Sequence, residues 1–161
     1  MAALSVLAVA VASGKVGYVL LHSGRLLDWG IAVKAAKNGS DLVGLVQGLI
    51  NEWQPDVVVT EDCGDGCRKG EHSKRLIRSL AELASHNAVL DVAVPRPRTF
   101  QSKYEEAEAL VAAHPEIAGH LPAQRRRIFD FEPRGMVLFE ALALAHQVMK
   151  GPPTKLAAAM G

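Results

Sequence analysis

The stretch "VVVTEDCGDGCRKG", residues 57–70, carries four apolar or β-branched residues straight into two carboxylates, Glu61 and Asp62, and then into a glycine-punctuated loop ending in Arg68 and Lys69. Carboxylates grouped at a strand end are suited to holding a divalent cation. Successive side chains of an extended chain point to opposite faces, so only one of the two aims into a shared site. Glu61 is the inward candidate; Asp62 is held in reserve, turned to solvent or capping the loop. In the competing reading both residues merely end a strand and cap turns. A third carboxylate, Glu140, sits in the nearly all-apolar segment "MVLFEALALAHQV". A charge there is costly unless it lies at a rim or has a partner, and a divalent cation is one such partner. The alternative is a solvent-facing glutamate between core positions.

Basic residues fall in three groups. Arg68, Lys69, Lys74 and Arg75 follow the carboxylate strand end, Arg96 and Arg98 follow the next apolar run, and Arg125 to Arg127 with Arg134 precede the last helical segment. If the strand order brings them to one face, they can contact phosphates, with affinity that falls as salt rises. Ordinary solvation of surface charge competes with that reading. No aromatic-rich stripe points to base stacking, so recognition of shape and backbone is expected. Cys63 and Cys67 are the two cysteines. A CxxxC pair lacks the four ligands of a structural zinc site, and both read as unpaired loop thiols.

The elements that must position these residues follow from periodicity. Residues 4–12, "LSVLAVAVA", are apolar throughout, as in a strand covered on both faces. Residues 16–33 read as two further strands about the turn "HSGR", giving an antiparallel meander. Ser40 is the expected N-cap of a helix with Leu42, Val46, Leu49, Ile50 and Trp53 at helical spacing. "PDVVVT" is a buried strand, residues 73–86 an amphipathic helix and residues 88–95 a strand ended by "PRPR". Ser102 and Glu105 form a capping box for a helix through "KYEEAEALVAAH". Residues 115–135 read as a polar connection, and residues 136–149 as a last helix with Phe139, Leu142, Ala143 and His146 on its core face. The order β-β-β-α-β-α-β-α-α predicts an α/β fold, a mixed five-stranded sheet flanked by helices, with the later strands joined by parallel crossovers.

A chain of 161 residues, 49% hydrophobic and 22% charged, fits one globular domain, read as residues 1–150 with a frayed tail at 151–161. The longest apolar run is too short to span a bilayer, and no positively charged segment precedes it as in a signal peptide, so a cytoplasmic protein without membrane contact is expected. With 18 basic and 17 acidic side chains there is no global field to attract a polyanion.

The element order, the opening "VLAVAVASGKVGYVLL", the strand end "VVVTED" and the helix "FEALALA" together resemble the RuvC-type branch of the RNase H-like superfamily, which includes Holliday junction resolvases. The similarity runs from about Leu4 to Met149. Closer still, the chain resembles a group of small bacterial RuvC-like proteins in Glu61, Asp62 and Cys63, in Arg68, Lys69 and Arg75, and in Arg134, Met136, Phe139 and Glu140. The resemblance implies acidic side chains on the first strand, the fourth strand and the last helix that hold two divalent cations, magnesium or manganese, for phosphodiester hydrolysis. Ions about 4 Å apart activate a water and stabilise the leaving oxygen. On this alignment Glu61 and Glu140 are the metal ligands. The first-strand position is Ala10, which cannot ligate a metal. Val137 stands where a second helix carboxylate is usual, leaving Glu132 as a stand-in. The resemblance thus implies a nucleic-acid-binding protein for branched or structured DNA, a metal-dependent endonuclease with a degenerate centre built from Glu61, Glu140, Asp62 and Glu132. The alternative is a catalytically inactive interaction module; a homodimer is implied in either case.

Overall fold

The computed structural model describes residues 4–62, 69–87, 89–95, 103–121 and 135–150. Strands β1 (Ser5–Ala12), β2 (Lys15–His22) and β3 (Arg25–Ala32) are followed by helix α1 (Gly39–Trp53), β4 (Val57–Glu61), α2 (Glu71–Ser85), β5 (Leu90–Val94), α3 (Lys103–Ala113) and α4 (Met136–Lys150). Short 3-10 turns at Lys34–Ala36 and Pro115–His120 complete the order. The expected mixed sheet forms, ordered β3-β2-β1-β4-β5. β1, β2 and β3 pair antiparallel, while β4 runs parallel to both β1 and β5.

The uniform apolarity of β1 follows from its central place. Val6, Ala8 and Ala10 face one core with Val57, Val59 and α4. Leu7, Val9 and Val11 face the other, with Val58 and the buried sides of α1 and α2. Both faces are therefore dry, which removes the polar alternation of a half-exposed strand. α4 is buried on every side from Met136 to Ala145, as expected of a helix lying between a sheet and further structure. Its first turn rests on β2 at Gly17. A Cβ there would stand 2.7 Å from the Val137 carbonyl oxygen, so only glycine admits the helix this close to the sheet.

Several boundaries differ from the expectation. Asn38, not Ser40, caps α1: its side chain accepts a hydrogen bond from the Asp41 amide at 2.8 Å and donates one to the Asp41 carboxylate at 2.8 Å. Trp53 shares the apolar spacing of α1, but the helix ends there in a left-handed Gln54, and the indole is left at the rim, 36% exposed. α2 starts two residues earlier than expected, at Glu71. Phe139, Leu142 and Ala143 are buried as predicted, and His146 lies half-buried beside them. Ser102 and the 151–161 tail lie outside the described residues.

α3 is fastened to α4 near both of its ends by polar groups. Lys103 at its start reaches Glu140, and His114 just past its end meets His146, Nε2 to Nε2 at 2.7 Å with the rings edge to face. One imidazole of that pair must donate and the other accept, so the pair cannot form with both protonated. Burial lowers the His114 pKa below the usual histidine value of 6.5, with Glu116 opposing the shift. The unfolded chain therefore binds more protons than the folded one just below pH 6.5. This part of the stability is present above 6.5 and is lost as the pH falls through the lowered folded value. Comparing thermal unfolding of wild type and His114→Leu between neutral and acid pH isolates it. The wild-type advantage should shrink as the pH falls; parallel curves would show that the pair does not titrate.

Candidate functional site

The carboxyl ends of the parallel strands β1, β4 and β5 share one edge of the sheet, the place where open α/β sheets gather binding groups. The β1–β4 ladder pairs Val6 with Val57 and Ala8 with Val59. The same register carried two residues further sets Ala10 level with Glu61. Alternation along β4 puts Glu61 on the face of Val57 and Val59, which is also the face of Ala10 and α4. Asp62 takes the opposite direction. It is exposed, and its amide donates to the Val94 carbonyl at 2.7 Å, tying the end of β4 to β5. The inward choice between the two adjacent carboxylates is thus Glu61, which is half-buried and held by a contact of its own.

Glu140 lies one turn beyond Val137 on α4 and is 5% exposed. The solvent-facing alternative for this residue is therefore wrong: it is buried and faces Lys103 of α3 and Lys69 just before α2. Its Oε1 accepts a hydrogen bond from Lys103 Nζ at 3.0 Å, and its Oε2 lies 4.0 Å from Lys69 Nζ. Lys69 also donates to the Val11 carbonyl at 2.7 Å. The pairing explains where that carbonyl points. Ala12 and Lys15 close the β1–β2 hairpin, and Val11 opposite Val16 is the next pair. Alternate pairs in an antiparallel ladder turn their polar groups outward. If the closing pair is hydrogen-bonded, Val11 directs its carbonyl toward β4, beyond the point where the β1–β4 ladder stops at Ala8 and Val59. The Lys69 ammonium fills that opening, between the end of β1 and the carboxylate of α4.

A buried carboxylate needs partners to remain charged, and two ammonium groups supply them. Sequence reading places Lys69 among surface phosphate contacts; here it turns inward, with its side chain 19% exposed. Lys103 is not legible as part of the site from sequence, because a lysine in the first turn of a helix carries no signal of its partner 37 residues away. Lys74 pairs with Glu71 at 3.7 Å in the first turn of α2, and Arg75 is exposed on the next position. Arg68, Arg96, Arg98, Arg134 and Glu132 lie outside the described residues, as do Cys63, Cys67 and Arg125 to Arg127.

The described donors at this edge do not by themselves fit a pair of divalent ions. Ala10 offers no oxygen from its side chain, and the two carboxylate oxygens of Glu140 already face ammonium groups. Among the described residues no three acidic, histidine or cysteine side chains gather as a metal-ligating group.

No protein-family model matches the chain, and no curated protein sequence does. Solved structures do. RuvC of T. thermophilus bound to a Holliday junction substrate superposes with a TM-score of 0.58 at 16% identity, over 92% of this chain and 97% of that one. Fowlpox virus resolvase in complex with Holliday junction DNA gives 0.57 at 13% identity, over 91% and 100%. A second structure, of Thermus thermophilus RuvC, gives 0.53 at 13% identity, over 92% and 98%. At such identities the likeness speaks for architecture alone, over about nine-tenths of the chain. The chain has the RuvC-type RNase H-like fold.

Proposed function

We propose that the chain binds branched or structured nucleic acid, four-way DNA junctions foremost, along the carboxyl-end rim of its sheet, without hydrolysing it through a pair of divalent ions. Two of the similar structures hold Holliday junction DNA, and the likeness covers nearly the whole chain, which supports the choice of ligand. The observation that carries the second half is the state of Glu140. Its carboxylate is countered by Lys103 and Lys69, and the neighbouring strand presents Ala10. A constellation that has lost one member can lose most of its rate while its binding surface persists. Lys74 and Arg75 at the start of α2 supply phosphate contacts in this reading, together with Arg68, Arg96, Arg98 and Arg134. A homodimer in the cytoplasm completes the proposal. No helix among the described residues is long and apolar enough to cross a membrane.

Junction, flap, linear duplex and RNA/DNA hybrid substrates incubated with the protein in magnesium or manganese, at low and high salt, test this. Retention of the junction at low salt with the substrate left intact is expected. Cleavage that needs the metal and disappears in Glu61→Gln would restore the nuclease. Failure to retain any nucleic acid at low ionic strength would leave the interaction module.

A further inference from the structure

Strand β3, "RLLDWGIA", is an outer strand of the sheet, and among the described residues no further strand pairs with its free side. An edge strand offers unpaired amides and carbonyls to any other extended chain, and the hazard is greatest where its side chains are apolar. Leu27 is 44% exposed and Val33, just past the strand, 45%. Leu26, Trp29 and Ile31 lie half-buried between them, against the core that holds α4. Apolarity alone would make this edge a template for a second copy of the chain. Beyond Arg25 at the turn, the strand carries one charge, Asp28.

The place of Asp28 follows from the register. The β2–β3 hairpin turns through Ser23 and Gly24, both left-handed, and closes on His22 opposite Arg25. The closing pair of such a turn is hydrogen-bonded, and bonded and unbonded pairs alternate beyond it. Leu21 pairs with Leu26 and Leu20 with Asp28, so Leu27 is the extra residue of a bulge, pushed out of the ladder into solvent. Alternation past the bulge makes Leu20–Asp28 a bonded pair and turns the Trp29 amide away from β2. That amide donates instead to Asp28 Oδ1 at 2.9 Å. Among the described residues no lysine or arginine pairs with the Asp28 carboxylate. Burial first, and then the charges of Asp28 and Glu52, raise the Tyr18 pKa, so a second carboxylate stands on the same flank. The opposite edge has an aspartate in a similar place. The Leu90 amide donates to Asp56 and the Val94 carbonyl accepts from Asp62, which leaves Asp91 and Ala93 as the outward-facing residues of β5.

We propose that Asp28 closes the β3 edge to strand addition: its carboxylate occupies the outward amide of Trp29 at the middle of the strand and sets a negative charge where the carbonyl of an incoming strand would have to stand. The apolar edge is thereby kept from pairing with the same edge of a second copy. The bulge at Leu27 bends the strand and adds to the obstacle. The role is independent of any nucleic-acid contact.

Sedimentation velocity over a concentration series tests it. Asp28→Thr, a residue suited to strands, frees the Trp29 amide and should raise the weight-average mass at least about twofold over wild type at equal concentration. Asp28→Asn keeps an acceptor for that amide, loses the charge and should associate less strongly. Adding Leu27→Lys to Asp28→Thr should restore the wild-type mass, because a charge returns to the edge. Glu52→Gln removes the same unit of charge from α1 and should match wild type. A folded Asp28→Thr that sediments as wild type would overturn the proposal, as would association that Leu27→Lys leaves unchanged. If Asp28→Thr does not fold, Asp28→Asn decides: a mass equal to wild type at every concentration overturns it.

Discussion

Lys69→Met is expected to cost about 3 kcal/mol and to lower the melting temperature by roughly 6–12 °C. The substitution leaves the side chain about as long but removes the ammonium that donates to the Val11 carbonyl at 2.7 Å and faces Glu140 at 4.0 Å. Removing one partner from a buried charge is more costly than removing both, because the remaining carboxylate must keep its charge in apolar surroundings or take up a proton. Lys103 still donates to Glu140 and Lys69 is partly solvated, so the low end of the range for broken buried pairs applies. Adding Glu140→Leu should return most of the loss, since the carboxylate deprived of one of its two cations is then gone. Equilibrium unfolding of wild type, the two single variants and the double variant gives the coupling directly. Additive effects would show that Lys69 and Glu140 do not act as a pair.

The parts of this fold most readable in the sequence were those governed by a single period. The apolar run of β1 and the "VVVT" run of β4 lie between two helical layers, and their lack of alternation says so. The crowded apolar pattern of α4 gave its extent within a residue. Helix starts were less readable, because Asn38, Ser40 and Ser73 are all good capping residues by type. The choice at α1 was made by the 3-10 turn at Lys34–Ala36, which delivers the chain to Asn38 already extended. The choice at α2 was made at Gly70, which caps through its backbone alone. Trp53 misled by periodicity: its spacing matches the core face, but the helix ends beneath it.

At the site, the sequence showed the carboxylates and hid their partners. Glu61 and Glu140 stand out because charge is rare in apolar runs, and strand alternation chose Glu61 over Asp62. The ammonium groups come from chain segments 34 residues apart, Lys69 before α2 and Lys103 at the start of α3, and meet only when both helices dock on opposite sides of the sheet edge. No local pattern encodes such a meeting. The alanine level with Glu61 was visible in the sequence as Ala10. Its consequence needed the three-dimensional arrangement, in which the chain's own cations face Glu140.

The second large effect concerns metal. Among the described residues, two ammonium groups at Glu140 and an alanine level with Glu61 leave few oxygens for a divalent ion, which takes six to eight oxygen ligands as calcium, or six as magnesium, in about octahedral geometry. Ala10→Asp combined with Lys69→Ala supplies the missing carboxylate and removes the nearest competing cation. That double variant should gain stability from manganese; ion at about a hundredfold above its dissociation constant adds roughly 2.7 kcal/mol, or about 5–10 °C in melting temperature.

The most direct test is a manganese titration of the wild-type protein, followed by the electron paramagnetic resonance signal of the free ion. The free signal should track the total added, with no bound fraction assignable to Glu61 and Glu140. Two bound ions per chain, lost in Glu61→Gln and in Glu140→Gln, would contradict the account.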